Sequence, residues 1–253
     1  MESTGDSDTT LDAFLGGRLR IRQPARGFRS GQDAILLAAA VPARTGECAL
    51  ELGCGAGAAI LALGTRVPGL ALAGLEIQPD YAALARDNAA LNALPFDTFE
   101  GDVEAPPPAL RSRSFDQVLI NPPYFDRAAS TRAWDEGRDL AHGGAAPLSA
   151  WLGSAARRLR PGGTLTLIQR MARLPDLVAA LPPTLGSLEI LPLAAREGEP
   201  PGTLLLRARK GGRAPFRLRA ALPLHGDRRQ SDGKDFSDWA ARVLRDGAPV
   251  PWK

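Results

Sequence analysis

The chain is poor in the residues that build disulfide and metal sites. Its only cysteines, Cys48 and Cys54, stand six positions apart and flank a predicted strand. That spacing indicates neither a disulfide framework nor a metal cluster. His142 and His225 are its only histidines, and neither belongs to a cluster with the carboxylate or cysteine spacing of a metal site. We therefore predict no metal centre, and we expect a reducing, cytoplasmic setting.

Long apolar runs are also missing. No stretch approaches the roughly 18 to 20 residues that a membrane-spanning helix needs, so no membrane partner is expected. The start of the chain, Met1 to Asp8, is polar and acidic and unlike a signal peptide. We expect residues 1–20 to be a disordered tail. We expect residues 21–253 to form a single α/β domain, with a short N-terminal helical segment and a basic C-terminal segment.

Positive charge is unevenly distributed. Residues 201–253 hold 12 Lys and Arg against 5 Asp and Glu, whereas residues 1–200 hold 19 against 23. The densest part, which we call the basic run, consists of Arg207, Arg209, Lys210, Arg213, Arg217 and Arg219. Such a run suits contacts with phosphates. A solvated strand face with a basic hairpin would explain the charge equally well.

Segments with strand and helix periodicity alternate along the chain. Strands are predicted at 48–52, 70–76, 96–100, 115–120, 164–169, 185–193 and 203–209. Helices are predicted at 31–41, 58–67, 81–94, 148–160, 174–181 and 236–244. This alternation argues for a doubly wound, mostly parallel sheet with right-handed crossovers. The last two strands lack an intervening helix, so we expect an antiparallel pair at one edge.

A glycine-rich loop follows the first predicted strand. Gly53, Gly55 and Gly57 let the backbone approach a ligand closely, and the helix that begins there adds N–H donors. Glu76 closes the next strand, where a carboxylate can accept both hydroxyls of a ribose. The loop therefore predicts a nucleoside-containing cofactor.

The identity of that cofactor is set by other residues. The glycine spacing also satisfies the loose nicotinamide and flavin fingerprint, which is a weak signal alone. Glu51 lies two residues before the first glycine, where it can reach the methionine end of S-adenosylmethionine. Gly101 and Asp102 follow the third strand, and Asp102 offers a carboxylate near the expected adenine. Glu51 and the tetrapeptide that follows the fourth predicted strand, described next, favour S-adenosylmethionine.

The tetrapeptide Asn121-Pro122-Pro123-Tyr124 ends the strand at 115–120. The Asn121 amide oxygen and the Pro122 carbonyl can each accept one N–H of a planar –NH₂ group, and Tyr124 offers a flat face for stacking. The prolines restrict the backbone, so the loop is rigid without a hydrogen-bonded ladder. Alone, the tetrapeptide could equally be a strand-ending turn. Its place at the carboxyl edge of the sheet, where open α/β sheets bind ligands, favours a catalytic element.

These motifs resemble those of class I S-adenosylmethionine-dependent methyltransferases of the Asn-Pro-Pro-Tyr type. More narrowly, the chain resembles the bacterial tRNA1(Val) adenine-37 N(6)-methyltransferase family. The narrower resemblance rests on residues 23–34, which read Gln-Pro-x-x-Gly-Phe-Arg-Ser-Gly-Gln-Asp-Ala, and on Glu76-Ile77-Gln78, with Asn88-x-x-x-Asn92 in support. It implies a Rossmann-like fold with a doubly wound, seven-stranded sheet whose last strand is antiparallel.

The resemblance also implies the site and the reaction. It implies cofactor contacts at Glu51, Gly53, Glu76 and Asp102, to which we add Gly55, Gly57, Ile77, Gly101 and Asn121. It implies target contacts at Asn121 and Tyr124, and we count Pro122 and Pro123 as catalytic with them. The expected reaction methylates the exocyclic amine of an RNA adenine, with position 37 in the anticodon loop of tRNA1(Val) as the target. No obligate protein partner is expected. Residues 126–144 are poorer in Lys than the family pattern, which bears on the substrate and not on the cofactor.

Other targets remain open. Release factor glutamine N5-methyltransferases use the same tetrapeptide, because a carboxamide –NH₂ presents the same geometry. That family usually carries a helical domain ahead of the glycine loop, and here 52 residues precede Gly53. DNA adenine methylation would call for a target-recognition insertion, and ribosomal RNA guanine methyltransferases more often have Phe where Tyr124 stands. A degenerate RNA-binding module is the non-enzymatic alternative, against which the intact Glu51, Glu76, Asp102 and Asn121 argue.

Overall fold

The structure is a computed structural model that describes residues 9–123, 146–226 and 235–252. Its strands are, in chain order, β1 (Thr9–Phe14), β2 (Leu19–Pro24), β3 (Cys48–Leu52), β4 (Ala71–Glu76), β5 (Phe96–Glu100), β6 (Phe115–Ile120), β7 (Leu159–Arg170), β8 (Leu185–Ala194), β9 (Pro201–Lys210), β10 (Arg217–Leu218) and β11 (Leu222–Pro223). Its helices are α1 (Gln32–Ala40), α2 (Ala58–Arg66), α3 (Pro79–Leu91), α4 (Pro108–Arg111), α5 (Leu148–Arg158), α6 (Leu174–Ala180) and α7 (Asp238–Asp246).

The seven long strands β3 to β9 form one mixed sheet. Their order is β8-β9-β7-β6-β3-β4-β5, and the two-residue strands β10 and β11 both pair with β8. β9 runs antiparallel to both of its neighbours, while the other long strands run parallel to one another. The predicted doubly wound sheet of seven strands with an antiparallel last strand is therefore confirmed, with two short strands added beyond its β8 edge.

Helices cover both faces of this sheet because successive strand residues point to opposite sides. In β6, Leu119 packs into one core while Val118 and Ile120 pack into the other. Residues of α1, α2, α3 and α7 fill the first core, and residues of α4, α5 and α6 fill the second. Among the described residues, no helix combines the length and the apolar character needed to cross a membrane.

The prediction of a disordered tail over residues 1–20 is wrong from Thr9 onwards. β1 and β2 pair as an antiparallel hairpin from Thr9↔Pro24 to Phe14↔Leu19. Leu19 and Ile21 are fully buried and alternate with exposed Arg20 and Arg22. This period-two pattern spans too few residues to stand out in the sequence, but it gives the hairpin one apolar face.

Two asparagines of α3 hold the hairpin on the body of the domain. The Asn88 amide accepts the Arg22 N–H at 2.7 Å and donates to the Arg22 carbonyl at 2.9 Å. Asn92 does the same with Arg20, at 2.9 and 2.7 Å. Residues four apart on a helix face and two apart on a strand have similar spacing. The two side chains therefore bond to the backbone of alternate residues of β2, as a neighbouring strand would. The Asn88-x-x-x-Asn92 motif thus has a structural role.

We expect Asn88→Ala to destabilise the protein by about 1–3 kcal/mol, because it leaves buried backbone groups unpaired. These include the Ala56 carbonyl, to which the Asn88 amide also donates at 2.9 Å. Urea unfolding measures the change. Asn92→Ala is the matched control: its bonds to Arg20 are exposed, so water replaces them and the loss should be smaller. Equal losses in the two variants would contradict this explanation.

Four of the six cations of the basic run form hydrogen bonds or an ion pair with other residues of the chain. Arg207 donates to the Ala40 carbonyl and lies 3.9 Å from the centre of the Trp252 ring, and burial lowers its pKa to about 10. Arg209 and Lys210 donate to the carbonyls of Gly162 and Leu159, and Arg219 pairs with Glu189. Arg213 and Arg217 are exposed. Most of the run therefore stabilises the β7–β9 region and α1.

Candidate active site

A cavity of about 250 Å³ lies at the carboxyl ends of β3, β4, β5 and β6. This is the edge at which open α/β sheets bind ligands. The cavity brings together most of the residues that the sequence analysis singled out, namely Gly53, Gly55, Glu76, Ile77, Gly101, Asp102, Asn121, Pro122 and Pro123. Tyr124 lies outside the described residues.

Two predicted cofactor residues, Glu51 and Gly57, are absent from the cavity wall as the described residues form it. The Glu51 carboxylate is buried and accepts the Ile60 N–H at 2.9 Å, in the first turn of α2. Burial raises the pKa of Glu51 well above its usual value, an effect that the Ile60 bond opposes. Gly57 is the residue before α2 and has φ of +86°. Both residues shape the loop and the helix start from behind the wall.

The glycine loop is pinned to β4 and leaves no room for a side chain at its first position. The N–H groups of Gly53 and Cys54 both donate to the Leu75 carbonyl, at 2.7 and 3.0 Å. Gly53 has φ of +68°, and a Cβ built there would lie 2.6 Å from the Trp151 ring. The backbone of the loop therefore forms the cavity surface directly, as close approach of a ligand requires.

Glu76 offers a fixed carboxylate to the cavity. One of its oxygens accepts the Gly55 N–H at 2.8 Å and the other accepts the Gln78 N–H at 2.9 Å. Burial raises the pKa of Glu76, and these N–H groups oppose that rise. A carboxylate has about four lone-pair sites, so each oxygen can still accept one hydroxyl. The arrangement fits a ribose diol.

Gly101 and Asp102 continue the wall next to Glu76. The Gly101 N–H donates to the Glu76 carbonyl at 2.9 Å, which ties the end of β5 to the end of β4. The Asp102 carboxylate accepts the Glu104 N–H through Oδ1 at 2.8 Å. Its orientation is thus set by its own loop, and it retains acceptor capacity for a ligand amine.

Asn121 and Pro122 place two acceptors at the end of β6. The Asn121 Oδ1 atom is buried and has no hydrogen-bond partner among the described residues. Buried polar atoms are nearly always paired, so an unpaired acceptor in a cavity wall indicates a missing donor. The neighbouring Pro122 carbonyl accepts a bond of 3.3 Å from Nε2 of Gln169 and keeps a second lone pair. Together they can receive two N–H groups.

Several wall residues were missed by the sequence analysis. Phe28, Tyr81, Val103 and Trp151 all line the cavity. Phe28 is 39% exposed, and its carbonyl accepts the Tyr81 hydroxyl at 3.0 Å. The only signal in the sequence was the placement of Phe28 in the quoted 23–34 motif.

The neighbouring Arg29, which the 23–34 motif also contains, belongs to the hairpin. Its guanidinium pairs with Asp12 at 2.6 Å and donates to the Thr10 hydroxyl and the Pro24 carbonyl. The Gln23 amide accepts the Ser30 N–H at 2.7 Å and donates to the Ser30 carbonyl. These bonds close the loop that carries Phe28 and fix it against the cavity.

Comparison with known proteins identifies relatives over most of the chain. Residues 31–191 match the methyltransferase small domain family. Over 184 residues the chain is 34% identical to the tRNA1(Val) (adenine(37)-N6)-methyltransferase of Porphyromonas gingivalis, covering 66% of this chain and 68% of that protein. It is also 34% identical over 178 residues to the release factor glutamine methyltransferase of Deinococcus radiodurans, covering 64% of this chain and 58% of that protein.

A solved structure agrees with these relatives. The crystal structure of a predicted O-methyltransferase from Agrobacterium tumefaciens matches 86% of this chain and 97% of its own length, with a TM-score of 0.68 and 28% identity. The same class of enzyme is indicated by the fold, by the family match, and by the Glu76 carboxylate and the glycine loop of the cavity. The chain belongs to the methyltransferase small domain family and is a class I S-adenosylmethionine-dependent methyltransferase.

Proposed function

We propose that the protein methylates the exocyclic N6 amine of adenine in RNA, with position 37 of tRNA1(Val) as the target. The observation that carries this proposal is the unpaired, buried Oδ1 atom of Asn121 beside the Pro122 carbonyl. Two acceptors side by side match the two N–H groups of a planar –NH₂. The similarity to the Porphyromonas gingivalis enzyme supports adenine in tRNA as the bearer of that amine.

The cofactor would be held by the strand ends. Glu76 would accept the ribose hydroxyls, Asp102 would face the adenine amine, and Ile77 would pack against the adenine ring. The Gly53 and Gly55 backbone would lie against the methionine part. When bound, S-adenosylmethionine supplies an electrophilic methyl group on a positively charged sulfur.

The chain's own residues would act on the target nitrogen. Its lone pair is delocalised into the adenine ring, so the amine is a poor nucleophile. Accepting both N–H groups at Asn121 and Pro122 would turn the lone pair towards the methyl group and stabilise the positive charge that develops on nitrogen. In an anticodon loop the base must leave its stack before it can enter the cavity. Tyr124 would then stack on it.

We propose that arginines of the N-terminal hairpin and its following loop contact the RNA backbone. Arg20 and Arg26 are exposed on the hairpin and loop that place Phe28 in the cavity wall. The basic run that the sequence suggested has most of its cations engaged within the chain. A tRNA partner would also place the reaction in the cytoplasm.

We expect Arg20→Glu combined with Arg26→Glu to weaken tRNA binding about tenfold or more and to reduce its salt dependence. The matched control is Arg213→Glu combined with Arg217→Glu, which changes charge equally on the exposed part of the basic run. Filter binding at several salt concentrations compares them, and S-adenosylmethionine affinity should be unchanged in both. A larger loss in the second pair would return the RNA surface to the basic run.

The substrate is tested by offering labelled S-adenosylmethionine with unmodified tRNA, ribosomal RNA and release factor in parallel. We expect label on tRNA, and mass spectrometry after nuclease digestion to show N6-methyladenosine at position 37. Label on release factor alone would overturn the proposal in favour of glutamine methylation. That outcome would agree with the similarity to the Deinococcus radiodurans protein.

A further inference from the structure

Gln169 is a buried polar residue at the end of β7, next to the catalytic loop. The residue is 1% exposed. Nε2 donates to the Pro122 carbonyl at 3.3 Å, and Oε1 accepts the Arg170 N–H at 2.8 Å. The second bond fixes which end of the amide faces Pro122, because only the NH₂ end can donate.

The position of Gln169 follows from the strand register. β6 and β7 pair in parallel, with Val118 opposite Leu165 and Ile120 opposite Leu167. The next step of this register places Pro122 opposite Gln169. The backbone ladder cannot continue there in the ordinary way, because Pro122 and Pro123 have no N–H to donate. The Gln169 side chain provides the bond that holds the loop at this point.

This bond also limits what the Pro122 carbonyl can bind. A carbonyl oxygen has two lone pairs, and Gln169 occupies one of them. The oxygen is thereby held in one direction with a single lone pair for a ligand. With the unpaired oxygen of Asn121, the cavity offers one acceptor to each N–H of an amine.

We infer that Gln169 is a positioning residue, which orients the Pro122 carbonyl towards the methyl-accepting nitrogen. The inference rests on the proposed roles of Asn121 and Pro122. It predicts that replacing Gln169 slows the methyl-transfer step, because the Pro122 carbonyl is then no longer held in one direction. Cofactor binding, which involves the ends of β3, β4 and β5, should be little affected.

Gln169→Met and Gln169→Glu test this role with side chains of similar size. Methionine cannot donate, so we expect kcat to fall roughly 10- to 100-fold, a smaller loss than removal of a direct transition-state donor causes. KM for the RNA and S-adenosylmethionine affinity should stay within about threefold of wild type. Retained S-adenosylmethionine affinity shows that each variant is folded.

The Gln169→Glu variant adds a readout that a merely structural role would not move. When ionised, the introduced carboxylate repels the Pro122 carbonyl, and when protonated it can donate an O–H to it. The ratio of variant to wild-type kcat should therefore rise as the pH is lowered. The comparison is made within one folded protein, so it remains informative if the methionine variant fails to fold.

Wild-type kcat in Gln169→Met, or a ratio for Gln169→Glu that does not change with pH, would overturn the inference. Asn121→Ala is measured in parallel with whichever substrate accepts the label. Activity retained in Asn121→Ala would sink the proposed function itself. Loss of activity in Asn121→Ala together with a fully active Gln169→Met would reject only the role of Gln169.

Discussion

Asn121→Ala is expected to reduce methyl transfer by about 10²- to 10³-fold or more, the range seen when one preorganised transition-state contact is removed. The Oδ1 atom in the cavity wall has no hydrogen-bond partner among the described residues and can accept an N–H of the target amine. Since Glu76 and the glycine loop are untouched, S-adenosylmethionine affinity should stay within about threefold.

Single-turnover methylation and calorimetry separate the two quantities. Asn92→Ala is the matched control. It also truncates an asparagine, at the exposed contact with Arg20 of the hairpin, and should leave the chemical step unchanged. Transfer at the wild-type rate by the Asn121 variant would show that this amide does not grip the target.

Glu76→Gln is expected to weaken S-adenosylmethionine binding by roughly 10- to 100-fold, since hydrogen bonds to a charged group contribute about 1.5–3 kcal/mol each. The substitution replaces one acceptor with a donor. The new NH₂ group would face either the Gly55 or the Gln78 N–H, both of which now donate to this carboxylate. Calorimetry measures the affinity directly.

Glu100→Gln is the control for this change. Glu100 lies opposite Glu76 in the β4–β5 ladder, but it is exposed and pairs with Arg86 at 3.0 Å. It should bind the cofactor like the wild type. Because burial raises the pKa of Glu76, wild-type affinity should also fall on mild acidification as the carboxylate is protonated. The Glu76 variant should lack that pH dependence, and a parallel fall in both would reject the assignment.

The sequence predicts the parts of the site that lie in continuous segments after strands. Gly53, Glu76, Asp102 and Asn121 each follow or end a predicted strand, so the topology of a parallel sheet brings them to one edge. Trp151 has no such signal, because its place depends on how α5 packs against the loops, and no local spacing encodes that packing. Gln169 ends the predicted strand over residues 164–169, but nothing in the sequence shows that its side chain bonds to the Pro122 carbonyl.

The sequence also did not predict where the folded chain begins or which arginines are exposed. The disordered tail was predicted over residues 1–20, whereas the hairpin begins at Thr9, and asparagines located some 70 residues further along the chain hold its second strand. Composition likewise could not tell an arginine that faces solvent from one that bonds to a carbonyl, as Arg207 does. Both features depend on contacts between distant segments.

Asn88 connects the N-terminal hairpin to the glycine loop. The same amide nitrogen bonds to the Arg22 carbonyl of the hairpin and to the Ala56 carbonyl inside the glycine loop. We expect a ligand that orders the loop to stabilise the hairpin as well, because the amide is then held in place from the loop side. By reciprocity, RNA bound at the hairpin, as proposed, would favour binding of the methyl donor in the loop. One side chain would thus let substrate and cofactor favour each other's binding without touching either.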